Sequence, residues 1–274
     1  MPTPPVPSLA PESTRMPDVQ GAADARNVAI DQVGVKSVRY PITLRQACGG
    51  EQQTVATINL YVSLPKHKKG THMSRFLEVL NAHHRSITPA QIIPILHEIR
   101  KKLDAADAHI EMQFPYFIEK SAPVTGAKGM MDYLCTFEGT SNGSDDFILG
   151  VKAPATSLCP CSKEISRYGA HNQRCEITAR VRIKSMLWIE DLVKIMEGAA
   201  SAPVYAVLKR PDEKFVTEQA FENPKFVEDI IRDLAVALDK EDRITWYCIE
   251  SENFESIHNH NAYAMIERDK RVAR

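Results

Sequence analysis

Six cysteines in 274 residues are too few and too scattered for the disulfide framework of a small secreted scaffold. Cys48, Cys135, Cys159, Cys161, Cys175 and Cys248 read as free thiols of a reducing compartment, so a cytoplasmic location is expected. Nowhere do 18 apolar residues run together, and no basic stretch followed by an apolar one opens the chain, which argues against membrane insertion and secretion. The formal net charge is −1, so no global field draws nucleic acid or an anionic membrane. Any polyanion must meet a local basic patch. Also absent are the paired C-x-x-C of a structural zinc knuckle and the glycine spacing of a P-loop.

What is present describes an ordinary globular chain, 43% hydrophobic and 25% charged, with enough apolar residues for a real core. Residues 1–30 carry Pro2, Pro4, Pro5, Pro7, Pro11 and Pro17 but few large apolar side chains, and are expected to form a disordered tail. Val33 to Leu44 and Thr54 to Leu64 alternate apolar and polar residues as a strand pair does. Met73 to His84 has helical spacing, and Thr88 with Pro89 opens a second helix through Leu103. Two strand-like runs, His109 to Ile118 and Met131 to Phe137, flank a turn from Ala122 to Gly129. The order ββααββ then recurs: strands at Phe147 to Pro154 and Cys175 to Ile183, helices at Trp188 to Glu197 and Pro224 to Leu238, strands at Ile244 to Glu250 and Ala262 to Glu267. The expectation is an α+β fold of two tandem modules, residues 31–142 and 143–274, the second interrupted by a long charged connection from Ser201 to Asn223.

The chemistry concentrates in Ser157 to Arg174, SLCPCSKEISRYGAHNQR, which otherwise reads as loop. A single intracellular cysteine is most often a small buried hydrophobe. Here Pro160 between Cys159 and Cys161 argues for extended backbone, which projects residues two apart to the same side. With His171 nearby, the segment suits a metal site or a nucleophile. FESIHNHNA adds His258 and His260, and the long connection adds carboxylates, Glu213 above all. A mixed S, N, O set suits zinc or iron, and manganese less well.

Two further segments stand out. In KHKKGTHMSR, Lys66 to Arg75, cations surround Gly70 and lead into a helix, the setting of a phosphate site as well as of plain solvated surface. In NPKFVEDIIRDLA, Phe226, Ile230, Leu234 and Leu238 form a core stripe, and Glu228 and Asp229 are first-turn acids that favour the helix dipole whatever their function. His109 and Glu111 form the H-x-E of a nucleoside deaminase, but Pro160-Cys161 is followed at the fourth position by Glu164 where that family needs cysteine.

KGTHMSRF, LCPCSKEIS, YGAHNQR and NPKFVED, in this order along the chain, resemble the prokaryotic GTP cyclohydrolase type IB, over nearly everything after the tail. The resemblance implies the tunnelling fold, in which ββααββ modules build barrels by oligomerisation, here a homotetramer with active sites near subunit interfaces. It implies hydrolysis of GTP at C8 with release of formate and formation of 7,8-dihydroneopterin triphosphate. It also implies a divalent zinc, iron or manganese ion on Cys159 and His171, with Glu213 and His258 completing the set. Cys161 matches the family's catalytic thiol, His258 or Cys161 is the proton donor, and Glu228 matches the glutamate that grips the purine. Lys69, His72, Ser74 and Arg75 are the implied triphosphate contacts, from a neighbouring subunit if the interface requires it, with Lys163 and Arg174 as further candidates. Two alternatives are an archaeal-type GTP cyclohydrolase ending at a cyclic phosphate and a non-catalytic metal-binding assembly protein.

Overall fold

A computed structural model describes residues 17–85 and 87–272. The first 16 residues of the expected tail lie outside the described residues. The first half contains strands β1 (Ile30–Arg45) and β2 (Glu51–Leu64), helices α1 (Met73–His83) and α2 (Pro89–Leu103), and strands β3 (Ala108–Ser121) and β4 (Lys128–Ser141). The second contains β5 (Asp145–Leu158), α3 (Pro160–Ile165), β6 (Asn172–Ile183), α4 (Ile189–Ala199), β7 (Ala202–Pro203), α5 (Arg210–Glu222), α6 (Val227–Asp239), β8 (Ile244–Asn253) and β9 (Ala262–Asp269).

The strands form one antiparallel sheet in the order β1-β2-β3-β4-β5-β6-β8-β9, with β7 paired to β5. Period-two alternation decides its faces. Ala56, Ile58, Leu60 and Val62 of β2 and Val151, Ala153 and Ala155 of β5 point into a core shared with Ile92, Leu96 and Ile99 of α2 and Ile230 and Leu234 of α6. The same core runs through both halves, so helices cover one face throughout. The other face carries cross-strand polar pairs: Asn59 to Glu111 at 2.8 Å, Arg180 to Glu138 at 2.7 Å and Arg182 to Asp146 at 2.7 Å. Among the described residues no helix is long and apolar enough to cross a membrane.

Helix boundaries follow local chemistry. The α2 start is a reciprocal capping box, Thr88 with Gln91, and its end is Asp104 in the left-handed region at φ 51°. Three expectations need correction. Ser157 to Arg174 is not all loop, because Pro160 supplies a fixed φ at the first position of the one-turn helix α3. The connection from Ser201 to Asn223 contains β7 and the 13-residue α5, which alternation and apolar stripes could not announce because α5 buries only Asp212 and Ala220. Finally, part of the expected disordered tail is hydrogen-bonded: Lys69 N donates to Ala22 O, Gly70 N to Gln20 O and Asp24 N to His67 O.

Strand direction sets what can meet. From β2 to β5 every neighbouring pair is antiparallel, so the C-terminal ends of β2 and β5 lie at opposite ends of the sheet. Fourteen strand residues span about 45 Å.

Candidate active site

The end of the sheet where β5 and β8 finish gathers most of the chemistry. Leu158 pairs with Asn172 at the last rung between β5 and β6, which sets Cys159 and His171 across from each other, and Cys159 N donates to His171 O at 3.1 Å. Ser162 staples the same corner: its hydroxyl donates to Cys159 O at 3.1 Å and accepts from His171 N at 3.1 Å. Gly169 sits at φ 118°, a conformation that disfavours a side chain, and turns the chain from α3 back into β6.

Cys159 is the N-cap residue of α3, half-buried, and its sulfur accepts from Ser162 N at 3.4 Å. Cys161 is exposed. Because α3 is helical, two residues turn the side chain by about 200°. The expected same-side projection of the two thiols is therefore replaced by one sulfur at the corner and one toward solvent. The other cysteines do not join them. Cys135 and Cys175 are buried, and burial pushes the Cys175 thiol up to about 12.

His171 has its Nδ1 2.9 Å from Gln173 Oε1, 3.4 Å from Ser256 Oγ and 3.9 Å from Glu255 Oε2. The loop after β8 brings His258 edge-on to His171, ring centroids 6.5 Å apart, and stacks it on His260 at 5.1 Å. NPKFVED is tied to the same corner, since Lys225 N donates to Leu158 O at 3.0 Å. Glu228 follows three residues later in the first turn of α6, exposed, while Asp229 caps Phe226 N at 3.0 Å.

Other expected residues are placed elsewhere. Glu213 is exposed in the first turn of α5 and, among the described residues, makes no hydrogen bond or ion pair with Cys159, His171 or His258. Its neighbour Asp212 is buried, accepting from Val124 N at 2.9 Å, Thr125 N at 2.8 Å and Thr125 Oγ1 at 2.6 Å. Lys163 donates to Phe221 O and lies over the Phe221 ring at 4.4 Å, while Arg174 is exposed on β6. Lys69, His72, Ser74 and Arg75 follow β2 and so occupy the far end of the sheet. There His72 Nε2 is 3.0 Å from Asp18 Oδ1, and Arg75 donates to Lys102 O at 3.1 Å. His109 and Glu111 lie on β3, bonded to Thr140 and Asn59, remote from the thiols.

The donor chemistry at the corner, one thiolate-forming sulfur and two imidazoles, suits a divalent zinc or iron ion, and Gln173 on His171 Nδ1 leaves Nε2 outward. Yet among the described residues no three His, Cys, Asp or Glu side chains stand close enough together to hold an ion. The donors fit in kind, and a single chain leaves the set open. Sequence reasoning missed Ser157, Gln173, Asn253 and Glu255 around His171, although all but Asn253 lie in segments singled out for their histidines.

One antiparallel sheet with α1, α2, α4 and α6 packed on one face has the architecture of a tunnelling-fold protein. Uricase from Arthrobacter globiformis superposes with a TM-score of 0.51 at 9% identity, over 89% of this chain and 95% of the uricase. Urate oxidase from Bacillus sp. TB-90 gives 0.51 at 8% identity, over 88% and 100%. Both are likenesses of fold. The model of the family described as type I GTP cyclohydrolase folE2 matches residues 16–264. GTP cyclohydrolase FolE2 of Geobacter sulfurreducens is 58% identical over 258 residues, 94% of this chain and 100% of the relative. That of Azoarcus sp. is 55% identical over 265 residues, 96% and 98%. The chain belongs to the type I GTP cyclohydrolase FolE2 family; it is a GTP cyclohydrolase, and GTP is its substrate.

Proposed function

We propose that the enzyme hydrolyses GTP at C8, releases formate and forms 7,8-dihydroneopterin triphosphate in a reducing cytoplasm, with a divalent zinc, iron or manganese ion at its centre. The observation that carries this reading is the convergence of Cys159, His171 and His258, from two separate segments, beside the Glu228 segment, with Cys161 exposed on the adjoining turn of α3. Cys159 and His171 hold the ion, completed by Glu213 and His258 once assembly closes the set. A divalent ion so held supplies Lewis acidity toward water and the purine.

The remaining steps belong to side chains. Water adds at C8, and breaking each C8–N bond requires a proton on N7 or N9. Cys161 and His258, both exposed, are the groups that deliver it. The Glu228 carboxylate accepts from N1–H and the exocyclic amine of guanine, which fixes the purine and distinguishes it from adenine. The triphosphate falls to Lys69, His72, Ser74 and Arg75, with Lys163 and Arg174 nearer the purine. Because the basic segment lies at the other end of the sheet, it serves the site of a neighbouring copy in a homotetramer. The outer edges of β1 and β9, which among the described residues end the sheet, suit barrel closure between copies.

The test is incubation with GTP, with formate measured and the pterin product weighed by mass spectrometry. Formate and an intact triphosphate are expected. A cyclic phosphate overturns the product assignment alone. Cys161→Ala is expected to cut formate release by about 10²- to 10⁴-fold while metal content and assembly persist; unchanged turnover removes Cys161 from the mechanism.

A further inference from the structure

A knot of polar side chains lies beneath His171 in otherwise apolar surroundings. Ser157, Gln173 and Asn253 come from β5, β6 and β8 and are 1%, 8% and 2% exposed. Burying such groups is unfavourable unless each is hydrogen-bonded, so their convergence asks what they hold. The Ser157 hydroxyl is used to capacity: it accepts from Asn253 Nδ2 at 2.9 Å and Gln173 Nε2 at 3.3 Å, and donates to Lys225 O at 3.3 Å. With Nε2 committed to Ser157, the Gln173 amide has its oxygen toward the imidazole, 2.9 Å from His171 Nδ1. A carbonyl oxygen only accepts, so Nδ1 must carry the hydrogen, and in the neutral ring Nε2 keeps the lone pair. The nearest competitors for Nδ1 are weaker, Ser256 Oγ at 3.4 Å and Glu255 Oε2 at 3.9 Å.

We propose that Gln173, held by Ser157 and Asn253, is a positioning residue that fixes His171 in the Nδ1–H tautomer and presents Nε2 as an electron-pair donor. The same Ser157 hydroxyl bonds Lys225 O, so one buried group sets both the imidazole and the segment that bears Glu228. The effect on metal affinity rests on the reading of His171 as a metal ligand; the tautomer does not.

Two measurements on the full chain separate these. Long-range ¹H–¹⁵N correlation of histidine-labelled, metal-free enzyme near pH 8 reads the tautomer of the neutral ring, with His171→Gln identifying the signal. The Nδ1–H form is expected, and an Nε2–H form overturns the proposal. Co²⁺ titration, followed by thiolate-to-metal absorption, compares the wild type with Gln173→Leu, which removes the acceptor, and Gln173→Glu, which keeps one. Gln173→Leu is expected to weaken Co²⁺ about 10- to 100-fold and lower kcat more than it raises KM, with Gln173→Glu recovering most of the loss. Equal Co²⁺ affinity in the wild type and Gln173→Leu, where His171→Gln does weaken Co²⁺, overturns the proposal; equal affinity in all three sinks the metal reading instead. A wild type that binds no Co²⁺ but shows the Nδ1–H form instead sinks the metal reading and leaves the positioning role standing.

Discussion

Glu228 illustrates how one side chain serves two ends. In a single chain it is an exposed first-turn acid of α6, and Asp229, not Glu228, makes the capping bond. Nothing in the fold depends on it beyond a few tenths of a kcal/mol of helix-dipole attraction. Glu228→Gln is therefore expected to leave the melting temperature nearly unchanged and to raise KM for GTP by about 10- to 100-fold, the worth of a charge-assisted contact. Steady-state kinetics beside a thermal melt check both halves, and an unchanged KM removes Glu228 from the purine contact. At this scale the sequence was most legible. A thiol pair flanking proline, a nearby histidine and an acid after N-P-K-F are chemical types that spacing alone can flag. Ser157, Gln173 and Asn253 were not legible, because a buried serine or amide has no periodic signature and gains meaning only from its partners.

Elements are where sequence periodicity partly failed. Core-facing strands and the stripes of α2 and α6 declare themselves, since burial on one face forces alternation or a 3.6-residue period. Helix α5 has no such stripe; it is held by Asp212, whose carboxylate takes the Val124 and Thr125 amides of the β3 to β4 turn and Lys209 N. Asp212→Ala is expected to speed hydrogen exchange at residues 124–125 and through the first turn of α5, leaving β2 protected; unchanged exchange there removes Asp212 as the anchor. A second clip joins α4 to the turn before β8, where Arg243 bonds Glu241 and Asp191 at 2.8 Å. The Arg243 side chain holds the Glu241 carboxyl down at about 2, from an ordinary 4.5. A carboxyl depressed on folding stabilises above its unfolded pKa, and that contribution is lost as pH falls from about 4.5 to about 2. Glu241→Gln is expected to lower the melting temperature at pH 7 by about 2 to 4 °C and to flatten its decline across that window. Thermal melts across the acid range measure both.

For the whole molecule, the decisive fact is that the thiol corner and the basic segment occupy opposite ends of one sheet. If both serve one active site, they come from different chains. Cys161→Ala and Arg75→Ala enzymes, each inactive alone, are then expected to regain activity when co-refolded one to one, in about a quarter of sites by random mixing. Formate release from the mixture reads this directly. No recovery, with mixed oligomers demonstrated, confines the site to one chain or removes Arg75 from it.

The sequence by itself determined the chemical types of the site, the apolar alternation that builds the sheet and the family to which those motifs point, because these depend on residue identity and short spacing. Tertiary structure decided which groups face one another. Strand pairing set Cys159 against His171, the helical turn at Pro160 parted the two thiols, and three strands from distant positions brought Gln173, Ser157 and Asn253 under one imidazole. Strand polarity sent Lys69 to Arg75 to the far end. Those are consequences of long-range packing, which no local spacing encodes.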